Sequence, residues 1–458
     1  MTSRLPLPYR PELLVKQTES RSATDSFVFY GVFALLLLGP LAFGGVEPWA
    51  IFSLEAGAVV LFIVWTASRL LSNELPISWS PLFAPMMVFA ALVALQIATR
   101  NSAYRYATFS SGLLYAAYGL LCFLTVQCLR RTSQVKILAI SFSAYGMAVA
   151  TFSLFQGLAS NGRLYWLRTP PRWSWIYGPY VNHNHYAGLM EMLVPIPLVF
   201  SLSSYARGGL RKAAVVVSAV MGTTIFLCGS RGGAVAFMCE LILLVCILIW
   251  QRSSRRSSLS NRLTLALFAT LLLSLSAWIG GYATIGRLIN VESTRHEITG
   301  SLRLAIDRDL LKMFPHRPSL GWGLGTFEYV YPQFRSFYTS YYIDEAHNDY
   351  LQLLIELGAA GFITMIWFLS LVFRIGSKKL RNWPVDINGG VALAALLGVT
   401  GILVHSLVDF NLQVPANAAL FYVLCTIATM EPRFGSFRPP RDEVLQIDAN
   451  NRQPHFLV

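Results

Sequence analysis

His347-Asn348 closes a long polar stretch and opens an apolar one, with Gly358 and Gly361 following inside it. In a helix of 3.6 residues per turn, eleven residues make about three turns, so Gly358 falls below His347 on one face. An imidazole titrating near pH 6.5 can take a proton from a hydroxyl. Small residues beneath it predict close approach of another helix. The plainer alternative is a helix-end histidine bonded to backbone. Asn348 and Asp349 fit as capping residues of the helix that begins there. Asp349, Gln352 and Glu356 line a second face at three- to four-residue spacing.

Two arginines have the chemistry to hold an anion. Arg231 sits in Gly229-Ser230-Arg231-Gly232-Gly233, where glycines let a bulky anion approach the backbone and a guanidinium fork matches phosphate oxygens. An arginine that merely ends a helix is the alternative. Arg303 heads a helical pattern in a long polar segment; a solvated charge is its alternative reading. Asn182-His183-Asn184-His185 opens an apolar run. His-x-His invites a metal, but residues two apart on a helix diverge by about 200° and no carboxylate or cysteine sits at ligand spacing, so no metal is expected. Asn184, Gly188 and Glu191 share a face, as do His405 and Asp409. Glu55, Glu191, Glu240, His405 and Asp409 read as interior, because ionisable groups in membrane helices face the bundle or a wet cavity. Asp307-x-Asp309 lies within a predicted helix, which points its carboxylates apart. No Walker loop or dinucleotide fingerprint is present.

These residues need a scaffold, and the composition supplies it. The 458 residues are 55% hydrophobic and 13% charged, about half the charged share of a soluble domain. Apolar runs near 27–43, 49–68, 82–99, 112–129, 137–158, 185–205, 213–229, 233–250, 263–282, 349–373, 389–408 and 414–430 predict about twelve membrane helices. The expected organisation is a cytoplasmic tail 1–26, helices one to nine over 27–282, a large partly helical periplasmic loop 283–348, helices ten to twelve over 349–430, and a tail 431–458 expected to be disordered. The fold class is therefore an all-α integral membrane protein. The amino-terminal segment lacks a cleavable signal pattern, so the first run is expected to stay as an anchor. The six cysteines fall in apolar runs without a CxxC pair and read as small core residues.

The net charge of +13 is not spread as a nucleic-acid binder would spread it. With the amino terminus inside, 23 of the 36 Lys and Arg fall in inner connections, which predicts both termini in the cytoplasm. In the long loop, Leu302, Ala305, Ile306, Leu310 and Met313 share a face, and Pro315 and Pro318 end that helix. Gly321 to Gly325 predicts a flexible turn. The aromatic run Phe327 to Tyr342 suits an interfacial belt, with sugar stacking as the alternative.

On the His347-Asn348 pair with Gly358 and Gly361, the Ser230-Arg231-Gly232 turn, and Arg303 leading to Pro318, Gly321, Gly323, Gly325 and Phe327, the chain resembles the O-antigen ligase family of bacterial inner-membrane proteins. The specific likeness covers about residues 215–370; the helix layout agrees over nearly the whole chain. The resemblance implies transfer of a glycan from an undecaprenyl-diphosphate carrier to an acceptor hydroxyl at the periplasmic face, with inversion and without metal, nucleotide or other cofactor. Lipid A–core is the acceptor it implies first. Arg231 and Arg303 would bind the diphosphate and His347 would be the base. Asn348, Asp349, His183, His185, Glu191, His405 and Asp409 are candidate supporting residues. The resemblance extends to polysaccharide polymerases and protein O-oligosaccharyltransferases, with which the His-to-Gly pattern is shared, so the acceptor stays open. A transporter or flippase is the alternative of another class, but the expected internal repeat is not seen and the polar residues gather toward one surface.

Overall fold

The computed structural model describes residues 23–72, 77–170, 175–251, 255–289, 300–340 and 342–430. Both expected tails, apart from residues 23–26 and their helix, lie outside these. The helices run in order α1 Ala23–Leu41, α2 Pro48–Leu71, α3 Phe83–Ala98, α4 Arg105–Cys128, α5 Thr132–Leu158, α6 His183–Leu193, α7 Pro195–Leu202, α8 Gly208–Leu227, α9 Arg231–Trp250, α10 Arg255–Ile289, α11 Gly300–Met313, α12 Phe327–Val330, α13 Asp349–Lys378, α14 Ile387–His405 and α15 Pro415–Thr429. Extended pairing among the described residues is limited to isolated bridges such as Trp175 with Asn182. Among the described residues ten helical segments are long and apolar enough to cross a membrane, and α3 and α15 are shorter apolar helices. The chain is an all-α, multi-pass membrane protein, as expected.

Local signals place the helix ends. Asn182, Ser230, Asn348 and Asp386 each cap a helix by accepting a backbone N–H with the side chain. Pro48 and Pro415 start α2 and α15, where a missing N–H costs nothing. Pro195 and Pro197 split the run expected over 185–205 into α6 and α7. Inner and outer helices differ in burial. Every residue of α6 and α15 is buried. By contrast α9 buries only Gly233, Ala236, Phe237, Glu240 and Leu244, a single stripe at helical spacing, and leaves its other faces apolar.

Two boundaries and one burial differ from expectation. α10 continues to Ile289, beyond the loop start expected at 283; residues 290–299 lie outside the described residues. α14 stops at His405 instead of near 408. Asp409 therefore leaves the helix face it was expected to share with His405, and the two side chains take different partners. Glu55, expected in the interior, is only half-buried on α2.

The segment 300–349 folds onto the end of the bundle with a core of its own, in which Ile306, Leu310 and Met313 of α11 pack on Phe327, Tyr331, Ile343 and Ile355. The aromatic run divides. Phe327 and Tyr331 stack inside this core with centroids 4.9 Å apart, while Tyr329, Tyr338 and Tyr342 stay exposed. Asp309 points into the core, accepting from Ser336 N at 2.9 Å, whereas Asp307 faces Asn348.

The expected flexible turn is pinned. Trp322 N and Gly323 N donate to the carbonyls of Ile355 and Glu356 at 2.9 Å, and Ala359 N and Ala360 N donate to those of Pro318 and Ser319 at 2.8 and 3.1 Å. The backbone of 318–323 is thus stitched into an opening in α13. Gly358 makes that opening, with φ +62° and ψ −167° inside the helix. A Cβ there would stand 2.5 Å from the Ser319 carbonyl carbon and oxygen. Gly358 was expected to admit a neighbouring helix; it admits a loop.

Candidate functional site

Asp409 is the point where distant segments meet. It follows the end of α14 and is fully buried. His347 Nδ1 lies 3.5 Å from its Oδ1, Arg303 Nη2 3.7 Å from its Oδ2, and His185 Nε2 3.9 Å from its Oδ1. These are ion-pair distances, longer than a good hydrogen bond. Burial by itself would raise the Asp409 carboxyl, but Arg303, His347 and His185 outweigh it and hold the group well below the usual carboxylate range. Asp409 thus stays ionised at neutral pH. Because its folded pKa is depressed, its stabilising contribution is present above the ordinary carboxylate range and is lost only as pH falls through the lower, folded value.

Each of these side chains is placed by a specific device. Arg303 lies one turn into α11 and also donates from Nη1 to the Val408 carbonyl. His347 stands just before the cap of α13 with φ +55°, a left-handed conformation rare outside glycine and recurrent at functional sites. Phe410 meets the rings of both His185 and His347 edge-on, at 4.6 and 4.7 Å. With Nδ1 of His347 facing Asp409, Nε2 is the nitrogen left to take a proton from a substrate.

A second pair lies alongside. His405 Nδ1 and Glu191 Oε1 are 2.9 Å apart, both buried. Gly232 lies against the His405 ring, where a Cβ would come within 2.8 Å of it, and Gly233 lies against Ala187 and Glu191. Arg231 opens α9 immediately before these glycines, which puts its backbone beside His405 and Val408 and so at the same end of the bundle as Asp409. The amino-terminal turns of α6, α9 and α13 therefore converge on the carboxyl end of α14.

The other expected residues are placed as follows. Asn348 caps α13 by accepting from Leu351 N at 3.2 Å and donates to Asp307 at 3.4 Å. Burial raises the Asp307 carboxyl. Asp349 is buried and accepts from Ser406 Oγ, Leu412 N and Gln413 Nε2 at 2.7, 3.1 and 3.1 Å, which ties α13 to the turn carrying Asp409. His183 packs its ring on Trp175 with centroids 4.5 Å apart. Glu356 accepts from Gly325 N and Phe327 N at 2.9 and 3.1 Å. Glu240 lies deeper in α9, against Gly401, with no hydrogen-bond partner among the described residues. Among the described residues no group of three His, Cys, Asp or Glu is placed to hold a metal ion.

Sequence reasoning passed over two residues. Gln96 of α3 donates to the Leu320 and Glu356 carbonyls at 2.5 and 2.8 Å and accepts from Leu324 N at 3.2 Å. Asn417 of α15 donates to the His185 carbonyl at 2.9 Å. Both are polar side chains inside apolar runs, which was the available signal.

No curated protein matches the chain. Residues 216–366 match the family model described as O-antigen ligase. That stretch contains Arg231, Arg303 and His347, and over it this membrane protein is similar to the O-antigen ligase family.

Proposed function

We propose that the protein transfers a glycan from an undecaprenyl-diphosphate carrier to a hydroxyl of lipid A–core at the periplasmic face of the bacterial inner membrane, with both termini cytoplasmic. The observation that carries this reading is the meeting of Arg303 and His347 on one carboxylate, 44 residues apart in sequence. Nε2 of His347 takes the proton of the acceptor hydroxyl. The freed oxygen pair attacks the anomeric carbon of the donor sugar. The bond from that carbon to the diphosphate oxygen breaks, and its electron pair leaves on the diphosphate. Attack from the face opposite the leaving group inverts the anomeric centre. Ionised Asp409 holds the imidazole by Nδ1 and stabilises the imidazolium that forms. Arg231 and Arg303 offset the charge that grows on the departing diphosphate. No step calls for a metal or a nucleotide.

The gathering of polar groups at one end of the bundle favours an enzyme over a carrier, whose sites lie near the midplane. The test is transfer by the purified protein given a diphosphate-linked glycan and lipid A–core. Arg231→Ala and Arg303→Lys are each expected to lower the rate by about a hundredfold or more, since a lysine cannot reproduce the fork. Full rates from both variants would end this reading. Offering the same donor with a second repeat unit or a serine-bearing peptide as acceptor separates the ligase from a polymerase and from a protein O-oligosaccharyltransferase.

A further inference from the structure

A cavity of about 370 Å³ opens beside the site without including any of its charged residues. Pockets for small ligands span roughly 300–1,000 Å³. One wall is α4, which contributes Tyr106, Ser111 and Tyr115; the other is the folded loop, with Glu328, Asp344 and Glu345. No Lys, Arg or His lines it among the described residues. Leu412 and Gln413 form part of the lining, and both donate to Asp349. The turn from Asp409 to Gln413 therefore runs from the Asp409 centre to the wall of this cavity.

Its chemistry is the reverse of the arginine site. Glu328, Asp344, Glu345 and Glu356 stand together with no cation to receive a phosphate, and polar walls suit a prenyl chain poorly. Carboxylates accept hydrogen bonds from hydroxyls. At the mouth stands a cluster of exposed tyrosines. Tyr104 meets Tyr329 at 4.6 Å and Tyr106 at 6.1 Å, and Tyr342 donates to Glu328 at 3.1 Å. Tyr106 and Tyr342 are 69% and 74% exposed. Large aromatic faces left in water beside hydroxyl acceptors fit the two surfaces of a sugar ring, apolar on its face and polar at its edge. Burial, then the neighbouring Glu356, push the Glu345 carboxyl well above its usual range, so it can donate as well as accept.

We propose that this cavity is a saccharide subsite for sugar rings without anionic groups, stacked on Tyr106 and Tyr329 and hydrogen-bonded to Glu328 and Glu345. It rests on the glycan-transfer reading above and deepens it. The rings belong either to the donor glycan beyond its reacting sugar or to the acceptor glycan.

The full chain in lipid nanodiscs distinguishes these by saturation-transfer NMR with two probes: the donor glycan freed from its diphosphate by mild acid, and the dephosphorylated core oligosaccharide of the acceptor. One probe is expected to bind, and Tyr329→Ala and Glu328→Gln to weaken it about tenfold. The same variants are expected to raise KM for the matching substrate about tenfold while lowering kcat far less. Tyr106→Ala, on the opposite wall and largely exposed, repeats the test without relying on the loop. Binding of neither probe, or binding and KM untouched by all three variants, overturns the subsite. That failure is separable from failure of the transfer reading. An inert subsite with His347→Ala inactive removes only the subsite. Undiminished transfer by His347→Ala removes the reading beneath it.

Discussion

His347→Ala is expected to lower glycan transfer by about a hundred- to ten-thousandfold, the range general-base catalysis contributes. The loss is expected in kcat more than in KM, because in the proposed mechanism the ring acts on the acceptor proton in the transition state and holds neither substrate. The left-handed backbone at this position, φ +55°, complicates the alanine variant, since an alanine adopts it at a cost of roughly 1–2 kcal/mol. His347→Asn avoids this, because asparagine visits that conformation readily, and it too lacks a base. Initial rates of both variants, beside their elution as single species on size exclusion, are the measurement. Rates within about threefold of the native protein in both would show that the proton goes elsewhere. Addition of imidazole in the assay offers a complementary reading, as partial rescue of the alanine variant points to a missing base and not to a shifted helix.

The second large effect falls on folding. Gly358→Ala places a methyl 2.5 Å from the Ser319 carbonyl group and forces a side chain onto φ +62°. Left-handed strain of about 1–3 kcal/mol and overpacking of about 1–3 kcal/mol act together. Against a total stability of about 5–15 kcal/mol, this is expected to leave little folded protein. The neighbour is backbone, which has no rotamer to yield. Yield from membranes and the midpoint of thermal aggregation in detergent measure it. A variant as stable as the native protein would mean that the loop does not enter α13 as described.

The two predictions show what the amino-acid string reveals and what it hides. The membrane helices were legible because burial in lipid demands long apolar runs, and each of the twelve runs corresponds to a helix or to a helix broken at proline. The polar outliers were legible for the same reason: Asp409, His405 and Glu191 stand out where charge is costly. Their pairing was not. His405 and Asp409 are four apart and suggested one face, but the helix stops at His405, and its end depends on turn contacts such as Ser406 with Asp349. Likewise the eleven-residue interval from His347 to Gly358 was visible, yet its reason was misread. Helical geometry makes it a stripe; only the loop 318–323, joined to it by backbone hydrogen bonds that carry no side-chain signature, makes it a slot. Gln96 belongs to the same lesson, since a glutamine more than two hundred residues away finds Leu320 and Glu356 through tertiary folding alone.

That glutamine bears on where the working unit ends. The family match stops at residues 216 and 366, but Gln96, His185, Glu191, Ser406 and Asp409 all lie beyond those limits. Excised, the matched stretch would keep its cations and its imidazole while losing the carboxylate between them and the amide that clasps its loop. Grafting such a fragment onto another scaffold is expected to give an inert chimaera, whereas exchanging 216–366 together with 96, 185–191 and 405–417 is expected to carry activity with it.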